Sequence, residues 1–453
     1  MKKIRLTVAI LASRLTSTLC KMLGKNGASV PGMVARKICP DILNLLSKQV
    51  KGDIIAVCGT NGKTTTSNLL YSLLKAQGYS VVCNSTGANL IDGICYCFVE
   101  KSNLFGKLKA DFAVLEIDEA TSTKVFPQVL PDRMIITNLF RDQLDRYGEI
   151  EATAGYIKKA LELSPKTELI LNGDDPLCAQ FGKIPDRKSR YVCVDEDVSG
   201  NVNEVREGQF CVFCGEKLDY EYYHYSQLGK FSCPGCGFKR PEADFRIHNI
   251  NLSDGVGFTM DYFGKSKEFS FSCRGFYNIY NIALSYAGAY LAMGDDVKNA
   301  DEVYRAYQPQ VGRMEEFSVG GKSVVFNLSK NPAGFNQTIA AFASDEKKKV
   351  LLIAVNDNAG DGKDVSWIWD VDFERLNTIG AEKIVLSGIR ADDLAVRLKY
   401  AGVNSDLIEI KYSLEDAAKT LISYDCGNCY ALVNYTVVYK MQEILKGLER
   451  KNG

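Results

Sequence analysis

The stretch AVCGTNGKTTT, near the start of the chain, has the residue types of a loop that binds nucleotide phosphates. Gly59 and Gly62 would let backbone N–H groups approach phosphate oxygens, and the helix expected after them would direct its positive end to the same point. Lys63 would reach the terminal phosphates and Thr64 would hold Mg²⁺. The spacing is shorter than G-x-x-x-x-G-K-[ST], because Val57 stands where that pattern has its first glycine. The order strand, GTNGKTTT, helix still favours a nucleoside triphosphate site over an ordinary glycine turn.

An acidic cluster follows a second predicted strand, in AVLEIDEAT. It places Glu116, Asp118 and Glu119 at a strand end, where a nucleotide enzyme needs an acid to position Mg²⁺. Acids are common at strand ends, so the cluster indicates a metal site only in combination with the glycine loop.

Two cysteine pairs, Cys211-x-x-Cys214 and Cys233-x-x-Cys236, are separated by eighteen residues, and a glycine follows each pair. Two tight knuckles at this spacing are typical of a four-cysteine zinc ribbon, and disulfides are the alternative. Four thiolates would fill the coordination sphere of Zn²⁺, so we expect a structural site. Zinc ribbons also occur in nucleic-acid machinery, but seven acids and six bases between positions 204 and 246 make a poor phosphate-binding surface.

A loop rich in aspartate and glycine, VNDNAGDGKDVSWIWD, follows a later predicted strand. It contains four aspartates and both tryptophans of the chain: Asp357, Asp361, Asp364, Asp370, Trp367 and Trp369. Loops at the carboxyl ends of parallel strands often carry function, and aromatic residues beside acids are typical of an interface or ligand surface. Turn formation by Asp and Gly explains part of the pattern.

Two series of strands and helices would position these residues. Near-continuous apolar runs predict strands of a parallel sheet covered on both faces: DIIAVC, FAVLEI, RMIITN and ELILN. A helix is predicted over 63–76. A second α/β unit is predicted from about residue 314 to the end by KVLLIAV, KIVLSG, LIEI and CYALVNY. The fold class is therefore α/β, with a parallel-sheet domain, an inserted ribbon and a C-terminal Rossmann-like domain.

Composition restricts the class of protein. The 453 residues are 46% hydrophobic, which is enough for two or three domains with buried cores. Fifty-five basic and 55 acidic residues balance, which argues against general affinity for nucleic acid. Fifteen cysteines without a secretory signal, and no apolar run near the roughly 18 residues of a membrane span, predict a cytosolic protein with reduced thiols.

The first forty residues contain eight Lys or Arg and no Asp or Glu. Six apolar residues recur there at helical spacing: Ile4, Val8, Leu11, Leu15, Leu19 and Met22. We favour a helix docked on the main body. The alternative is a basic amphipathic helix that contacts an anionic membrane surface.

Several motifs, in one order, resemble the Mur ligase family, whose members join an amine to a carboxylate through an acyl phosphate. They are GTNGKTTT, LEIDE, TNLFRDQLDRYG, LNGDDP, RGFYNIYNIALSYAGA and VGRME. The resemblance spans about residues 50–330 and depends on the combination, since each fragment alone has low specificity.

This resemblance implies a P-loop Mur-ligase central domain that uses ATP and Mg²⁺. Lys63 and Thr64 would hold the phosphates and the metal, with Glu116 assisting the metal. Asn278 and Asn281 would flank the adenine, and Arg313 would bring the second domain to the phosphates on closure. The implied ATP-binding set is Gly59, Thr60, Asn61, Gly62, Lys63, Thr64, Thr65, Asn278, Asn281 and Arg313.

The chain departs from the family pattern at residues that bind metal in other members. The family's D-H-L-D is Asp142-Gln143-Leu144-Asp145 here, and its D-x-x-H-x-P is replaced in NLSKNPAG by Asn327, Lys330 and Pro332. Lys158 and Lys159 lie where some members carry a carbamylated lysine, and the choice between Gln143 and these lysines as a replacement ligand stays open. Only 52 residues precede the first strand, too few for the family's nucleotide-sugar domain.

Further features narrow the resemblance: VPGMVARKI, the inserted ribbon, SKNPAGFNQT and DGKDVSWIWD. They are similar to the Mur-ligase-like subunits of lipid II isoglutaminyl synthases, over nearly the whole chain. This implies a carbon–nitrogen ligase that activates the D-glutamate carboxylate of lipid II, with ammonia from a separate GatD-type glutaminase subunit in a heterodimer. An aspartate would complete that partner's catalytic triad, by position Asp364, with Asp357 and Asp361 less favoured.

Two other functions are kept as alternatives. One is a stand-alone Mur-type ligase that adds an amino acid. Product mass and the need for a partner would distinguish it from an amidating subunit. The other is a non-catalytic ATP-binding scaffold whose ribbon recruits nucleic acid or protein, which substrate-dependent ADP release would exclude.

We expect four regions along the chain. A basic helical segment covers 1–50, the ATP-binding domain covers 51–313 with the zinc ribbon inserted at 205–243, and the C-terminal α/β domain covers 314–453.

Overall fold

The computed structural model describes residues 2–23, 27–85, 87–141, 150–198, 208–253, 255–308, 311–343, 345, 347–426 and 428–452. The chain begins with three helices, α1 (Lys2–Met22), α2 (Ser29–Ile38) and α3 (Ile42–Ser47).

Among the described residues up to position 271, eleven strands follow, and all but β7 and β8 join one sheet. They are β1 (Ile54–Cys58), β2 (Val81–Cys83), β3 (Phe112–Glu116), β4 (Arg133–Ile136), β5 (Glu168–Asn172), β6 (Ser189–Val194), β7 (Asp219–Tyr225), β8 (Leu228–Ser232), β9 (Phe245–Asn251), β10 (Val256–Tyr262) and β11 (Lys265–Phe271). The sheet order is β11-β10-β9-β6-β5-β4-β1-β3-β2. Pairing is parallel from β2 to β9 and antiparallel at β10 and β11. The four strands predicted in this region are confirmed as β1, β3, β4 and β5.

Helices cover both faces of this sheet. They are α4 (Lys63–Ala76), α5 (Ile91–Lys101), α6 (Glu119–Val125), α7 (Ile150–Leu163), α8 (Pro176–Ala179), α9 (Asn278–Met293) and α10 (Ala300–Arg305), and a 3₁₀ turn covers Gln180–Lys183. The predicted helix over 63–76 is confirmed. Every residue of β1 is buried, and its side chains alternate between two cores: Ile54, Ala56 and Cys58 enter one, Ile55 and Val57 the other. Parallel strands covered on both faces require such apolar runs.

A second, six-stranded sheet contains β12 (Glu315–Val319), β13 (Lys322–Leu328), β14 (Lys349–Ala354), β15 (Ala381–Ser387), β16 (Ile408–Ile410) and β17 (Asn428–Val433). Its order is β12-β13-β17-β14-β15-β16, and only β12 is antiparallel to its neighbour. Its helices are α11 (Pro332–Ala343), α12 (Ala391–Tyr400), α13 (Leu414–Ser423) and α14 (Tyr435–Asn452), with 3₁₀ turns at Ser366–Asp370, Phe373–Asn377 and Ser405–Leu407.

The crossover between β6 and β9 carries the cysteine-rich insertion. Strands β7 and β8 form a separate antiparallel hairpin, and the insertion has a small core of its own, formed by Ala179, Cys211, Leu218, Phe231, Cys233 and Phe238. The insertion therefore leaves the sheet continuous, because β6 pairs directly with β9.

The N-terminal helices form an outer layer, in which α1 packs on α2 and α2 packs on α5. The approach of α2 to α5 is close, since a Cβ at Gly32 would lie 1.7 Å from the carbonyl oxygen of Asp92. Arg36 of α2 also pairs with the Asp92 carboxylate at 2.6 Å. The favoured docking of α1 on the body is thus confirmed, although its predicted apolar stripe faces outward. Across the described part of the chain, no helix has both the length and the apolar character needed to cross a bilayer.

Candidate functional site

The glycine loop joins β1 to α4 and has no room for larger side chains. Gly59 and Gly62 have φ angles of 122° and 83°, in the left-handed region that favours glycine. A Cβ at Gly59 would lie 2.3 Å from Thr137 Oγ1, and one at Gly62 would lie 2.2 Å from Asn281 Oδ1. Both the backbone and the neighbours therefore require glycine at these positions.

The carboxyl end of β4 holds the loop from the side. The Thr60 N–H donates to the Asn138 carbonyl at 2.8 Å, and the Asn61 N–H donates to Asn138 Oδ1 at 2.9 Å. Thr137 Oγ1 donates to the Asn61 carbonyl at 2.7 Å. The sequence pattern assigned no role to Thr137 or Asn138, although both stand at the start of the motif TNLFRDQLDRYG.

Lys63 is buried, and its ammonium group points back into the loop. Its Nζ donates to Glu119 Oε1 at 3.0 Å and to the Thr60 carbonyl at 3.3 Å, and it also contacts the Gly59 carbonyl. The same Glu119 oxygen accepts the Gly59 N–H at 2.9 Å. A single oxygen of Glu119 thus accepts from the Lys63 ammonium and from the Gly59 N–H, two groups that would bind a phosphate.

Glu119 is a site residue whose role the sequence pattern missed. It was predicted only as one of three acids after β3. In the structure it is the first residue of α6, and Asp118 caps that helix by accepting the Thr121 N–H at 3.0 Å. Asp118 therefore fixes the helix start, and that start places Glu119 against the loop.

Glu116 and Thr64 converge from β3 and α4. Thr64 Oγ1 lies 3.8 Å, and Glu116 Oε2 3.9 Å, from the position that a Cβ would take at Gly87. Asn89 Nδ2 donates to Glu116 Oε1 at 3.1 Å, and Asn84 binds the Glu116 backbone at both its N–H and its carbonyl. A hydroxyl and a carboxylate that face one point are the oxygen donors that Mg²⁺ prefers, so the residues present fit this ion.

The two predicted adenine-site residues lie buried at the start of α9. Asn281 Oδ1 accepts from Thr66 Oγ1 at 3.3 Å, and Asn281 Nδ2 donates to Asn278 Oδ1 at 3.0 Å. Asn278 Nδ2 donates in turn to the Arg274 carbonyl at 2.9 Å. This series of hydrogen bonds joins α9 to α4 beside Gly62, so the fold brings both asparagines to the loop.

Arg313 is within electrostatic reach of the same region. Burial raises the pKa of Tyr277, the residue before α9, to about 12, and the positive charge of Arg313 opposes that rise. Burial also raises the pKa of Tyr307 to about 12, against a hydrogen bond with Thr65 and the charge of Arg313. Arg313 and Thr65 therefore lie on the side of the site formed by these two tyrosines.

The C-terminal unit contacts the glycine loop directly. The side-chain amides of Asn61 and Asn331 pair reciprocally, at 3.3 and 3.2 Å. Asn331 also accepts the Gly334 N–H at 2.9 Å, which fixes it at the start of α11. A second contact joins Arg141 to Asp370 at 3.0 Å. Asn331 is a further residue without a predicted role, although it stands between Lys330 and Pro332 in NLSKNPAG.

The described residues at which the chain departs from the family pattern lie in different parts of the structure. Asn327 is buried within the C-terminal unit, where it donates to Thr338 Oγ1 at 2.6 Å and accepts the Met314 N–H at 3.0 Å. Lys158 and Lys159 are exposed on α7. The D-Q-L-D segment, which contains Asp142, Gln143, Leu144 and Asp145, lies outside the described residues.

Two of the candidate aspartates after β14 are engaged within the C-terminal unit. Asp361 is buried and accepts the Thr436 N–H at 2.8 Å, with the Thr436 hydroxyl as a further donor. Asp357 accepts from Arg390 at 2.7 Å, and this contact lowers its pKa. These contacts hold the loop against α14 and against the start of α12.

Asp364 is partly exposed at the turn before the tryptophans. Hydrogen bonds from Ser366 lower its pKa, so its carboxylate is charged near neutral pH. Five residues later, Trp369 is 53% exposed, and its ring meets that of Tyr400 edge-on at 5.5 Å. The loop therefore presents a carboxylate and an aromatic pair on the surface.

The four cysteines of the insertion come together at one point. Their Sγ atoms lie within 4.8 Å of one another, with 3.5 Å between Cys211 and Cys236 and 3.4 Å between Cys214 and Cys233. Tetrahedral zinc with Zn–S bonds of about 2.3 Å requires S–S separations of about 3.8 Å. The glycine after each pair has a left-handed φ, 76° and 74°, as a tight knuckle requires. The donor set fits Zn²⁺.

Family models match two segments of the chain. The Mur ligase middle domain matches residues 57–234, and the MurT ligase C-terminal domain matches residues 328–438. The chain is also similar to the lipid II isoglutaminyl synthase (glutamine-hydrolyzing) subunit MurT of Staphylococcus aureus (strain COL), with 35% identity over 96% of this chain and 97% of that protein. The subunit of the same name from Streptococcus pneumoniae (strain ATCC BAA-255 / R6) is 35% identical over 98% of this chain and 97% of its own length.

Solved structures show the same fold at lower identity. A pseudomurein peptide ligase type C from Methanothermus fervidus gives a TM-score of 0.65 at 23% identity, covering 88% of this chain and 79% of that chain. The MurF ligase from Thermotoga maritima in complex with ADP gives a TM-score of 0.65 at 16% identity, covering 93% of this chain and 85% of that chain. The chain therefore has the Mur ligase fold, with its α/β architecture and parallel sheets.

The substitution Glu119→Gln is expected to tighten ADP binding about fivefold, or roughly 1 kcal/mol. An amide can still accept the Gly59 N–H, but it neither holds Lys63 by charge nor repels a phosphate. Isothermal titration calorimetry with ADP measures the change. Glu100→Gln, which removes an exposed carboxylate from α5, should leave the affinity unchanged. Unchanged or weaker binding in Glu119→Gln would show that this carboxylate does not compete with the nucleotide.

Proposed function

This chain belongs to the MurT family of lipid II isoglutaminyl synthase subunits, and from that premise we propose that it amidates the D-glutamate carboxylate of lipid II. Its relatives are named as synthase subunits and ligases, and the chain is accordingly an ATP-dependent ligase. The observation that best supports the proposed reaction is the convergence of Lys63, Thr64 and Glu116 at a loop that the C-terminal unit contacts.

In the proposed reaction, a carboxylate oxygen of the D-glutamate attacks the γ-phosphorus of ATP. The bond from that phosphorus to the bridging oxygen breaks, and ADP leaves with the bonding electrons. Ammonia then attacks the carbonyl carbon of the resulting acyl phosphate. Phosphate leaves as the C–O bond breaks, the nitrogen loses a proton, and the carboxylate has become an amide.

The loop residues would bind the triphosphate and stabilise the charge that develops on it. Lys63 would exchange the Glu119 carboxylate for a phosphate oxygen, and the Gly59 N–H would do the same. Thr64 and Glu116 would hold Mg²⁺, which supplies charge neutralisation on the phosphates when bound. The remaining N–H groups at the start of α4 add the positive end of that helix.

The remaining predicted ATP-site residues support the nucleotide from the other side. Asn278 and Asn281 would contact the adenine, and Thr65, which hydrogen-bonds to Tyr307, belongs to the same predicted set. Arg313 would approach the phosphates as the C-terminal unit closes, since it stands just before β12 and already acts electrostatically on Tyr277. The Asn61–Asn331 pair would guide this closure, because it joins the loop to α11.

Ammonia would come from a GatD-type glutaminase subunit bound to the C-terminal unit. The loops after four parallel strands lie at one edge of the second sheet, and each presents an exposed aromatic or aliphatic side chain: Trp369, Ile389, Tyr412 and Tyr435. Aromatic residues are enriched at protein interfaces. Asp364 lies in the same set of loops, where it would orient the histidine of the partner's catalytic pair.

The insertion is proposed as a structural zinc ribbon, and the chain as four regions. The ribbon covers 205–243 within an ATP-binding domain at 51–313, which follows a basic segment at 1–50 and precedes an α/β domain at 314–453. Supporting the ribbon, the four Sγ atoms converge, and Arg240 joins the insertion to the sheet through Asp174 at 3.2 Å and Asp195 at 2.9 Å.

The proposed function predicts a product in which –NH₂ replaces –OH on the precursor. Mass spectrometry of lipid II, incubated with ATP, glutamine and the chain with its co-purified glutaminase, should show that mass difference. Lys63→Ala should abolish ADP release and amidation while the thermal unfolding temperature stays close to that of the wild type. A product heavier by an amino-acid residue, formed without a partner, would instead show a stand-alone ligase.

Asp364→Asn, measured with the partner subunit present, is expected to lower glutamine hydrolysis at least about a hundredfold, because the histidine loses its orienting carboxylate. Nucleotide binding should not change, since Asp364 is absent from the loop contacts. Asp357→Asn serves as the matched variant in the same loop. Full glutaminase activity in Asp364→Asn, or a loss confined to Asp357→Asn, would move the role to another residue.

Metal analysis should find one zinc per chain, and Cys214→Ser should remove it. Loss of zinc is expected to lower the thermal unfolding temperature, because the small core of the insertion depends on the cluster. ADP release per folded molecule should persist, since a site with four thiolates has no open position for catalysis. Cys20→Ser, at a partly exposed cysteine outside the cluster, is the control. Absence of zinc from the wild type would refute the assignment.

A further inference from the structure

The helix α1 docks on the protein through mostly small side chains and leaves most of its large apolar side chains exposed. Its buried face is formed by Ala9, Ile10, Ser13 and Ser17. The opposite face consists of residues between 42% and 79% exposed: Ile4, Val8, Leu11, Leu15, Leu19 and Met22. Six exposed apolar side chains along one helix are unusual for a protein surface in water, and such patches mark contact with another apolar phase or partner.

Specific contacts fix this orientation of α1. Ser13 Oγ donates to the Pro31 carbonyl at 2.9 Å, and the hydroxyls of Ser17 and Tyr96 lie 2.6 Å apart. The arginines beside the stripe donate to backbone carbonyls, Arg5 to that of Ile38 and Arg14 to that of Ser102. A rotation that buried the stripe would break these contacts and bury charged groups.

A neighbouring loop packs on the docked side of α1 and has exposed apolar residues of its own. A Cβ at Gly106 would lie 2.3 Å from Leu6 Cδ2 and 3.6 Å from Ile10 Cδ1, so this loop packs directly on α1. Its tip exposes Phe105 by 76% and Leu104 by 40%. Lysines flank the tip and are exposed as well: Lys101, Lys107 and Lys109. On α2, Val30 and Met33 are also exposed.

The charges around the apolar stripe of α1 indicate what kind of surface it would bind. The first forty residues hold eight basic residues and no acid, and Lys3, Lys21 and Lys37 are exposed there. Of the two acids on α5, Asp92 is neutralised by Arg36. A second copy of the chain docked face to face would bring like charges together, which is unfavourable. An anionic lipid surface offers an apolar layer for the stripe and negative headgroups for the lysines.

We propose that the exposed face of α1 docks on the surface of an anionic lipid bilayer. The helix, about 30 Å long, would lie in the plane of the interface with its stripe among the acyl chains. The proposal depends on exposure and charge alone and goes beyond the proposed reaction. In combination with that reaction, it would place the enzyme beside a lipid-linked substrate.

Vesicle co-sedimentation of the full chain tests the proposal without lipid II, ATP or glutamine. The wild type should bind vesicles containing about one-third phosphatidylglycerol and bind phosphatidylcholine vesicles weakly, and about 0.5 M salt should reduce binding. The double variant Leu11→Glu/Leu15→Glu should bind anionic vesicles at least about tenfold more weakly. The matched control Leu163→Glu/Leu130→Glu changes two leucines of similar exposure, 47% and 61% against 42% and 65%, and should bind like the wild type.

Three results would overturn the proposal: no binding of the wild type to anionic vesicles, equal losses in the two double variants, or an α1 variant that breaks a homodimer without altering vesicle binding. The last result would identify a second copy as the occupant. ADP binding to both double variants, measured in parallel, verifies that the nucleotide domain is folded. Because the vesicle assay contains no substrate, a failure to bind vesicles would not contradict the proposed amidation. Likewise, a failure of amidation would not contradict the proposed membrane docking.

Discussion

The space available to the loop between β1 and α4 is the constraint on which the site depends. Thr137 and Asn138 press on Gly59 from one side, and Asn281 presses on Gly62 from the other, so neither position accepts a Cβ. The same neighbours hydrogen-bond the loop and therefore set the direction of its N–H groups. A phosphate site requires that these donors be oriented before the ligand arrives. The strand order, which places β1 between β3 and β4, makes this possible.

Burial of Lys63 has a cost that Glu119 offsets. A buried ammonium without a partner is strongly unfavourable, and the carboxylate of Glu119 supplies both charge and a hydrogen-bond acceptor. The pair holds the loop in the conformation described above. A phosphate that binds Lys63 and the Gly59 N–H must displace the Glu119 carboxylate from them. The contacts that stabilise the loop therefore weaken its affinity for phosphate.

Two of the contacts between the units of the two sheets are polar, and Ala333 of α11 also packs on the core of the first unit. The paired amides of Asn61 and Asn331 and the ion pair of Arg141 with Asp370 can break and reform without exposing apolar surface. Contacts of this kind suit a unit that moves toward and away from the nucleotide. In the loop after β14, at the same edge of the second sheet, Asp361 and Asp357 bond to side chains and backbone of the C-terminal unit, and Asp364 is partly exposed.

The sequence by itself determined the elements and the chemistry of each motif. Apolar runs specified β1, β3, β4 and β5 because a strand buried on both faces admits little else, and glycine followed by Lys63 and Thr64 indicated phosphate binding through local geometry. Cysteine spacing indicated that the four cysteines come together for the same reason: the knuckles are local.

Contacts between distant segments were decided only by the tertiary structure. Glu119 meets Lys63 across 56 residues, and Asn331 meets Asn61 across 270. The stripe on α1 shows the same limit, since helical periodicity reveals that a helix has an apolar face but does not reveal which face the protein covers. That outcome depended on the small side chains of α1, the close approach at Gly32 and the carbonyls that receive Arg5 and Arg14. For α1, the buried face is a property of the packed whole, and the local periodicity did not encode it.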